Sequence, residues 1–141
     1  LSINLIALTG PLGEIGSTVH GQPRFGGFQE AANWFLNTVE SGVVVVGRRT
    51  VDIMAESGVD LSSLPYSMAV FTRENGTNTV QEYLQVLREE VGDLPLFIAG
   101  GKQTYEAFLP FCSNFFIRKT SITGTNDIFL PPLFSPRGTV H

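Results

Sequence analysis

Apolar residues fall in short dense runs separated by polar stretches that carry glycine and proline. Ile3-Asn4-Leu5-Ile6-Ala7-Leu8 is nearly apolar throughout, the pattern of a strand covered on both faces. Val43-Val44-Val45-Val46, Met68-Ala69-Val70-Phe71, Leu96-Phe97-Ile98-Ala99 and Asn114–Lys119 read as four further strands. Between them the period lengthens. Phe28, Ala31, Ala32, Phe35 and Val39 share one side of a helix predicted over Phe28–Val39. Val80, Leu84, Leu87 and Val91 mark a second helix, with Thr79 as its N-cap and Gly92 as its stop. Shorter helices are predicted through Ile53 and Met54 and over Thr104–Leu109. Gly47-Arg48-Arg49-Thr50 reads as a turn, and Ser57–Pro65 as a loop. Thr9 to Gly27, with Pro11, Pro23 and several glycines, reads as one long irregular segment, a length that usually marks function or disorder.

Strands alternating with helices predict an α/β fold: three layers, a mostly parallel central sheet with flanking helices. With 141 residues and no linker-like stretch, residues 1–141 read as one domain. A hydrophobic fraction of 43% excludes a disordered chain. A formal net charge of -4 argues against nonspecific nucleic-acid binding, which needs clustered cations. Cys112 is the only cysteine, so no disulfide forms within the chain, and His20 and His141 lack metal-ligand spacing. The apolar runs fall well short of the ~20 residues of a membrane span, and no leader pattern follows Leu1. The expected setting is the cytoplasm, as a monomer or homodimer acting on a small molecule, with no nucleic-acid or membrane partner.

Parallel sheets bind ligands at the carboxyl ends of their strands. Three such ends carry chemistry here. Gly47-Arg48-Arg49-Thr50 combines a close backbone approach, two guanidiniums and a hydroxyl. Thr72-Arg73 repeats the hydroxyl and the guanidinium. Gly100-Gly101 precedes a short helix and suits a pyrophosphate. Recurrence along one sheet edge points to a dinucleotide with an extra phosphate, NADPH rather than NADH. The spacing is not the G-x-G-x-x-G fingerprint.

At these residues the sequence resembles dihydrofolate reductase, in order from Leu5 to about Leu133. The pieces are Leu5-Ile6-Ala7, Ile15-Gly16, Asn37-Thr38, Val43–Thr50, Leu64-Pro65, Thr72-Arg73, Ile98–Tyr105, Phe108-Leu109-Pro110 and Asp127–Pro131. The resemblance implies an eight-stranded sheet and hydride transfer from NADPH to dihydrofolate, giving tetrahydrofolate. It places Gly47, Arg48, Arg49, Thr50, Thr72 and Arg73 on the adenosine side of NADPH. Gly100, Gly101, Lys102, Gln103 and Thr104 would meet the pyrophosphate, and Ala7, Leu8 and Ile15 the nicotinamide. Ile6, Glu30, Trp34 and Ala99 would line the substrate side, and Met54 and Tyr105 read either as pocket residues there or as packing residues of the core.

The family keeps one carboxylate on its first helix, four residues before an aromatic that covers the substrate. Its role is to bind the amino-pyrimidine edge and help protonate the ring nitrogen, which makes the adjacent carbon a better hydride acceptor. Aligning Asn37-Thr38 puts Glu30 and Trp34 in those places, one helical turn apart. The rival register uses Phe35 and Ala31 and leaves no carboxylate.

The chain departs from the family in several places. Gln22–Gly27 lacks the expected tryptophan, and the stretch from Gly16 to the helix is longer than in compact members. Tyr66 and Ser67 stand where an arginine would grip the folate tail. Arg118 replaces a pocket threonine and is placed to pair with Glu30. The chain reaches His141 before a closing hairpin would fit. These departures leave a riboflavin-type pyrimidine reductase and a nucleotide-binding homologue without turnover as alternatives. Cys112 reads as a small buried side chain, Asp52 and Glu56 as exposed helix acids, His20 as a solvent-exposed loop residue, and Asn75-Gly76-Thr77 as a turn.

Overall fold

The computed structural model describes residues 2–16, 24–25, 28–56, 58, 60–72, 79–120, 122–123, 128–131 and 139–140. The apolar runs form strands β1 (Ile3–Thr9), β4 (Val43–Gly47), β5 (Ser67–Phe71), β6 (Leu96–Ile98) and β7 (Asn114–Lys119). The periodic segments form helices α1 (Phe28–Val39), α2 (Arg48–Glu56), α3 (Val80–Val91) and α4 (Lys102–Phe108). Five very short strands complete the described elements: β2 (Glu14–Gly16), β3 (Arg24–Phe25), β8 (Ile122–Thr123), β9 (Ile128–Phe129) and β10 (Thr139–Val140).

The main sheet has six strands in the order β10-β7-β1-β6-β4-β5. Every pairing in it is parallel. Strand order and helix position explain each other. From β1 through α1 to β4, and from β4 through α2 to β5, the chain moves toward one edge. From β5 through α3 to β6, and from β6 through α4 to β7, it moves back. Right-handed crossovers therefore put α1 and α2 on one face, α3 and α4 on the other.

The packing agrees. Ile6, Val44, Val46 and Phe97 form one cluster with Val39, Trp34 and Phe35 of α1 and Val51 of α2. Leu5, Ala7, Val43, Val45, Leu96, Ile98 and Phe115 form the other, with Tyr83, Leu84 and Leu87 of α3 and Tyr105 and Phe108 of α4. Alternate residues of each central strand thus serve opposite faces, which is why those strands are apolar at nearly every position. The layers are helix, sheet, helix.

Local signals act as the sequence predicts around α3. Thr79 Oγ1 accepts from the Glu82 N–H at 3.1 Å, a cap worth about 1 kcal/mol. At the other end the Gly92 N–H donates to the Arg88 carbonyl at 2.8 Å. The Arg88 guanidinium donates to the Leu94 and Gly92 carbonyls at 2.6 and 3.2 Å, and reaches the Ser2 carbonyl at 3.3 Å.

Several expectations are corrected. Gly47-Arg48-Arg49-Thr50 is no turn: Gly47 ends β4 and α2 begins at the next residue. The short helix after Gly101 starts at Lys102 and ends at Phe108, with a 3-10 turn over Leu109–Phe111. The loop before Pro65 holds another 3-10 turn, Leu61–Ser63, capped by the Asp60 carboxylate accepting from Ser62. The Thr9–Gly27 segment carries β2 and β3, which pair antiparallel with β9 and β8. Six strands share the main sheet among the described residues, rather than eight.

Candidate functional site

Adjacent strands whose following helices lie on opposite faces leave a crevice at their carboxyl ends. Here β6 is such a strand, set between β1 and β4, with α4 leaving to one face and α1 and α2 to the other. The ends of β6 and β4 are tied directly. Gly47 N–H donates to the Gly100 carbonyl at 2.8 Å, and Ala99 N–H to the Val45 carbonyl at 2.8 Å. This brings Gly47–Thr50 and Gly100–Thr104 side by side, as the reading of the strand ends expected.

Glycine is required at this junction. A Cβ on Gly47 would collide with Thr104 Oγ1, and Gly100 has φ +121°, a conformation side chains rarely adopt. Thr50 Oγ1 lies 3.4 Å from where a Cβ of Gly101 would sit, so the starts of α2 and α4 face each other. Arg48, Arg49, Lys102 and Gln103 are exposed around the junction, and Thr104 is buried beneath it. Arg48 Nε sits 3.2 Å from the Asp52 carboxylate, one turn along α2, and both side chains are exposed. Asp52 thus behaves as the exposed helix acid predicted, with Arg48 as its partner.

Two hydroxyls near this edge are buried without a partner among the described residues: Thr9 Oγ1 at the end of β1 and Thr72 Oγ1 just after β5. Native folds rarely leave such groups unsatisfied. Thr72 was among the candidates. Thr9 was not, since a threonine ending an apolar strand looks in sequence like any other strand end. Glu14, also missed, is buried in β2 and accepts from the Leu12 N–H at 2.6 Å.

On the α1 side the candidates divide. Ile6 is fully buried, and Trp34 and Ala99 pack half-buried against its cluster. Glu30 projects into solvent, its side chain 83% exposed, with Oε2 3.8 Å from an Arg118 guanidinium nitrogen. Arg118 lies opposite Leu8 in the β1–β7 register, on the face that Ile6 and Phe116 share. The predicted pairing of Arg118 with Glu30 is therefore present. In the rival register Ala31 would stand at the acid position; it is buried, 1% exposed. Met54 is half-buried on α2, a helix with no fully buried residue.

Tyr105 is buried, and its hydroxyl donates to the Ile6 carbonyl at 2.9 Å, so the ring braces α4 against β1. Burial pushes its phenol far above the usual tyrosine range. Ala7 faces the α3–α4 side with the half-buried Ile15, and Leu8 the α1 side. Tyr66 and Phe35 meet edge to face at 5.6 Å, and burial raises the Tyr66 phenol. Burial pushes the Cys112 thiol up to about 12, which suits the core side chain predicted rather than a nucleophile. Arg73, His20, Asn75-Gly76-Thr77 and Asp127 lie outside the described residues.

Among the described residues no group of three or more His, Cys, Asp or Glu side chains could hold a metal ion. Among them also, no helix is long and apolar enough to cross a membrane. No family model matches the chain, and no curated protein matches it.

Proposed function

We propose that the chain is an NADPH-dependent reductase of the dihydrofolate reductase type, acting in the cytoplasm, with dihydrofolate as its leading substrate. The observation that carries this reading is the junction of Gly47–Thr50 with Gly100–Thr104, closed by the Gly47 to Gly100 hydrogen bond of 2.8 Å.

The residues at that edge fit a dinucleotide. Glycine backbones admit a close approach. Arg48, Arg49 and Lys102 supply charge for phosphate oxygens, and Thr72 Oγ1 supplies a hydroxyl that has no other partner among the described residues. When bound, NADPH supplies a hydride. Ile6, Trp34 and Ala99 form an apolar wall that excludes water from the reacting face. Glu30 binds the amino-pyrimidine edge of the substrate through its carboxylate oxygens and assists proton delivery to the ring nitrogen. Buried Tyr105 holds α4 and the Gly100 segment against β1, a positioning role.

One observation favours a second reading. Where a folate tail would meet an arginine, Tyr66 packs on Phe35 and Ser67 begins β5. An aromatic pair gives a glutamate tail no counter-charge, which favours a riboflavin-type aminopyrimidine as substrate. NADPH oxidation, followed by nicotinamide absorbance with dihydrofolate and with the aminopyrimidine in parallel, separates the two. Turnover with dihydrofolate supports the first reading, and turnover with only the aminopyrimidine supports the second. NADPH binding without either leaves a binding protein and overturns both.

A further inference from the structure

The Glu30–Arg118 pair has chemistry that a lone carboxylate lacks. At 3.8 Å its nearest atoms are too far apart for a hydrogen bond, so the contact is Coulombic. Neither side chain hydrogen-bonds any described residue. The carboxylate keeps its acceptor sites and the guanidinium its donors. The side chains are 83% and 38% exposed, so a ligand can reach both. They come from different elements, α1 and β7, on the face where Ile6, Trp34 and Phe116 lie.

An acceptor-only group beside a donor-only group complements a ligand edge in which donors adjoin an acceptor. We propose that Glu30 and Arg118 together select a 2-amino-4-oxopyrimidine edge, with Arg118 as the specificity-determining residue. The ring N–H and 2-amino group donate to the Glu30 oxygens, and the 4-oxo oxygen accepts from the Arg118 guanidinium. A 2,4-diaminopyrimidine has no 4-oxo acceptor to offer the guanidinium. A 2,4-diaminopyrimidine also binds a carboxylate best as its ring-protonated cation, which Arg118 repels. The inference rests on the reductase reading above, because it takes Glu30 to be the ring-binding acid.

The test compares pterin with 2,4-diaminopteridine, two ligands that differ at the 4-substituent and in the hydrogen on the ring nitrogen beside it. Isothermal titration would use the intact chain with NADPH present. The expected result is that wild type prefers pterin by about tenfold or more. Arg118→Met should abolish that preference or reverse it. Arg118→Lys, which keeps the charge but loses the planar fork, should retain part of it. Three results overturn the inference while leaving the reductase reading intact. These are equal binding of the diamino ligand and pterin by wild type, survival of the preference in Arg118→Met, and identical behaviour of Arg118→Lys and Arg118→Met. Binding of neither pteridine by an NADPH-binding wild type would overturn the ring-binding role of Glu30 itself, and this inference with it.

Discussion

The two edges of the main sheet are built from the same strands, yet they treat their polar groups in opposite ways. At the amino edge, buried Asn4 donates to the Leu96 carbonyl at 3.1 Å and to Ser2 Oγ at 3.2 Å, and accepts from Asn114 Nδ2 at 3.0 Å. Arg88 closes the same edge on the Ser2 and Leu94 carbonyls. At the carboxyl edge, Thr9 and Thr72 keep buried hydroxyls without partners among the described residues. Glycines there replace side chains that would fill the junction, and Arg49, Lys102 and Glu30 project into solvent. A fold stabilises itself by satisfying its buried polar groups. The contrast is what the proposed cofactor site at the carboxyl edge rests on.

Substitutions at the two edges should therefore fail in different ways. The largest effect is expected at Glu30. Glu30→Ala should lower turnover about a hundredfold, as loss of an acid–base group does. Its melting temperature should stay within about 4 °C of wild type, because an exposed ion pair contributes at most about 1 kcal/mol. Steady-state kinetics beside a thermal melt checks both, and unchanged turnover would remove Glu30 from the mechanism.

Asn4→Ala should do the reverse. Loss of a buried hub that serves three partners should cost about 1–3 kcal/mol in urea unfolding and leave NADPH affinity unchanged. Gly47→Ala should affect both properties. The added methyl meets Thr104 Oγ1, so about 1–3 kcal/mol of stability and much of the NADPH affinity should be lost together. Thr104→Ala in the same chain should restore most of the stability, a coupling that a double-mutant cycle measures. The smallest change is expected from Thr72→Val, which removes an unpartnered hydroxyl. Stability should stay within about 0.5 kcal/mol while NADPH affinity falls several-fold. If affinity is unchanged, the Thr72 hydroxyl has no role in binding.

How much of this was legible in the sequence depended on how each feature is encoded. The boundaries of α1, α3 and β7 follow from periodicity and from Thr79 and Gly92, all local signals. The start of α2 is not legible in the sequence because Gly47 looks like turn chemistry, whereas its role is to let β4 pass close to Thr104. That role belongs to a residue more than fifty positions away and leaves no local trace. Strands β3, β8, β9 and β10 are two residues each, too short for any alternation to show. The strand-end clusters were visible because glycine and arginine after an apolar run are conspicuous. The Thr9 hydroxyl was not, since whether it finds a partner depends on the packing around it. The Glu30–Arg118 pair was anticipated only through the family resemblance. Spacing alone does not relate a residue of α1 to one on β7.

The central claim is that the carboxyl edge binds NADPH. Trp34, the only tryptophan in the chain, lies on α1 one turn from Glu30 and provides an intrinsic reporter. The most direct measurement is a titration of its fluorescence with NADPH and, separately, with NADH. The account predicts saturable binding of one NADPH per chain, at least about tenfold tighter than NADH because Arg48 and Arg49 meet the extra phosphate. Absence of saturable binding by fluorescence and by calorimetry, or equal affinity for the two cofactors, would contradict it.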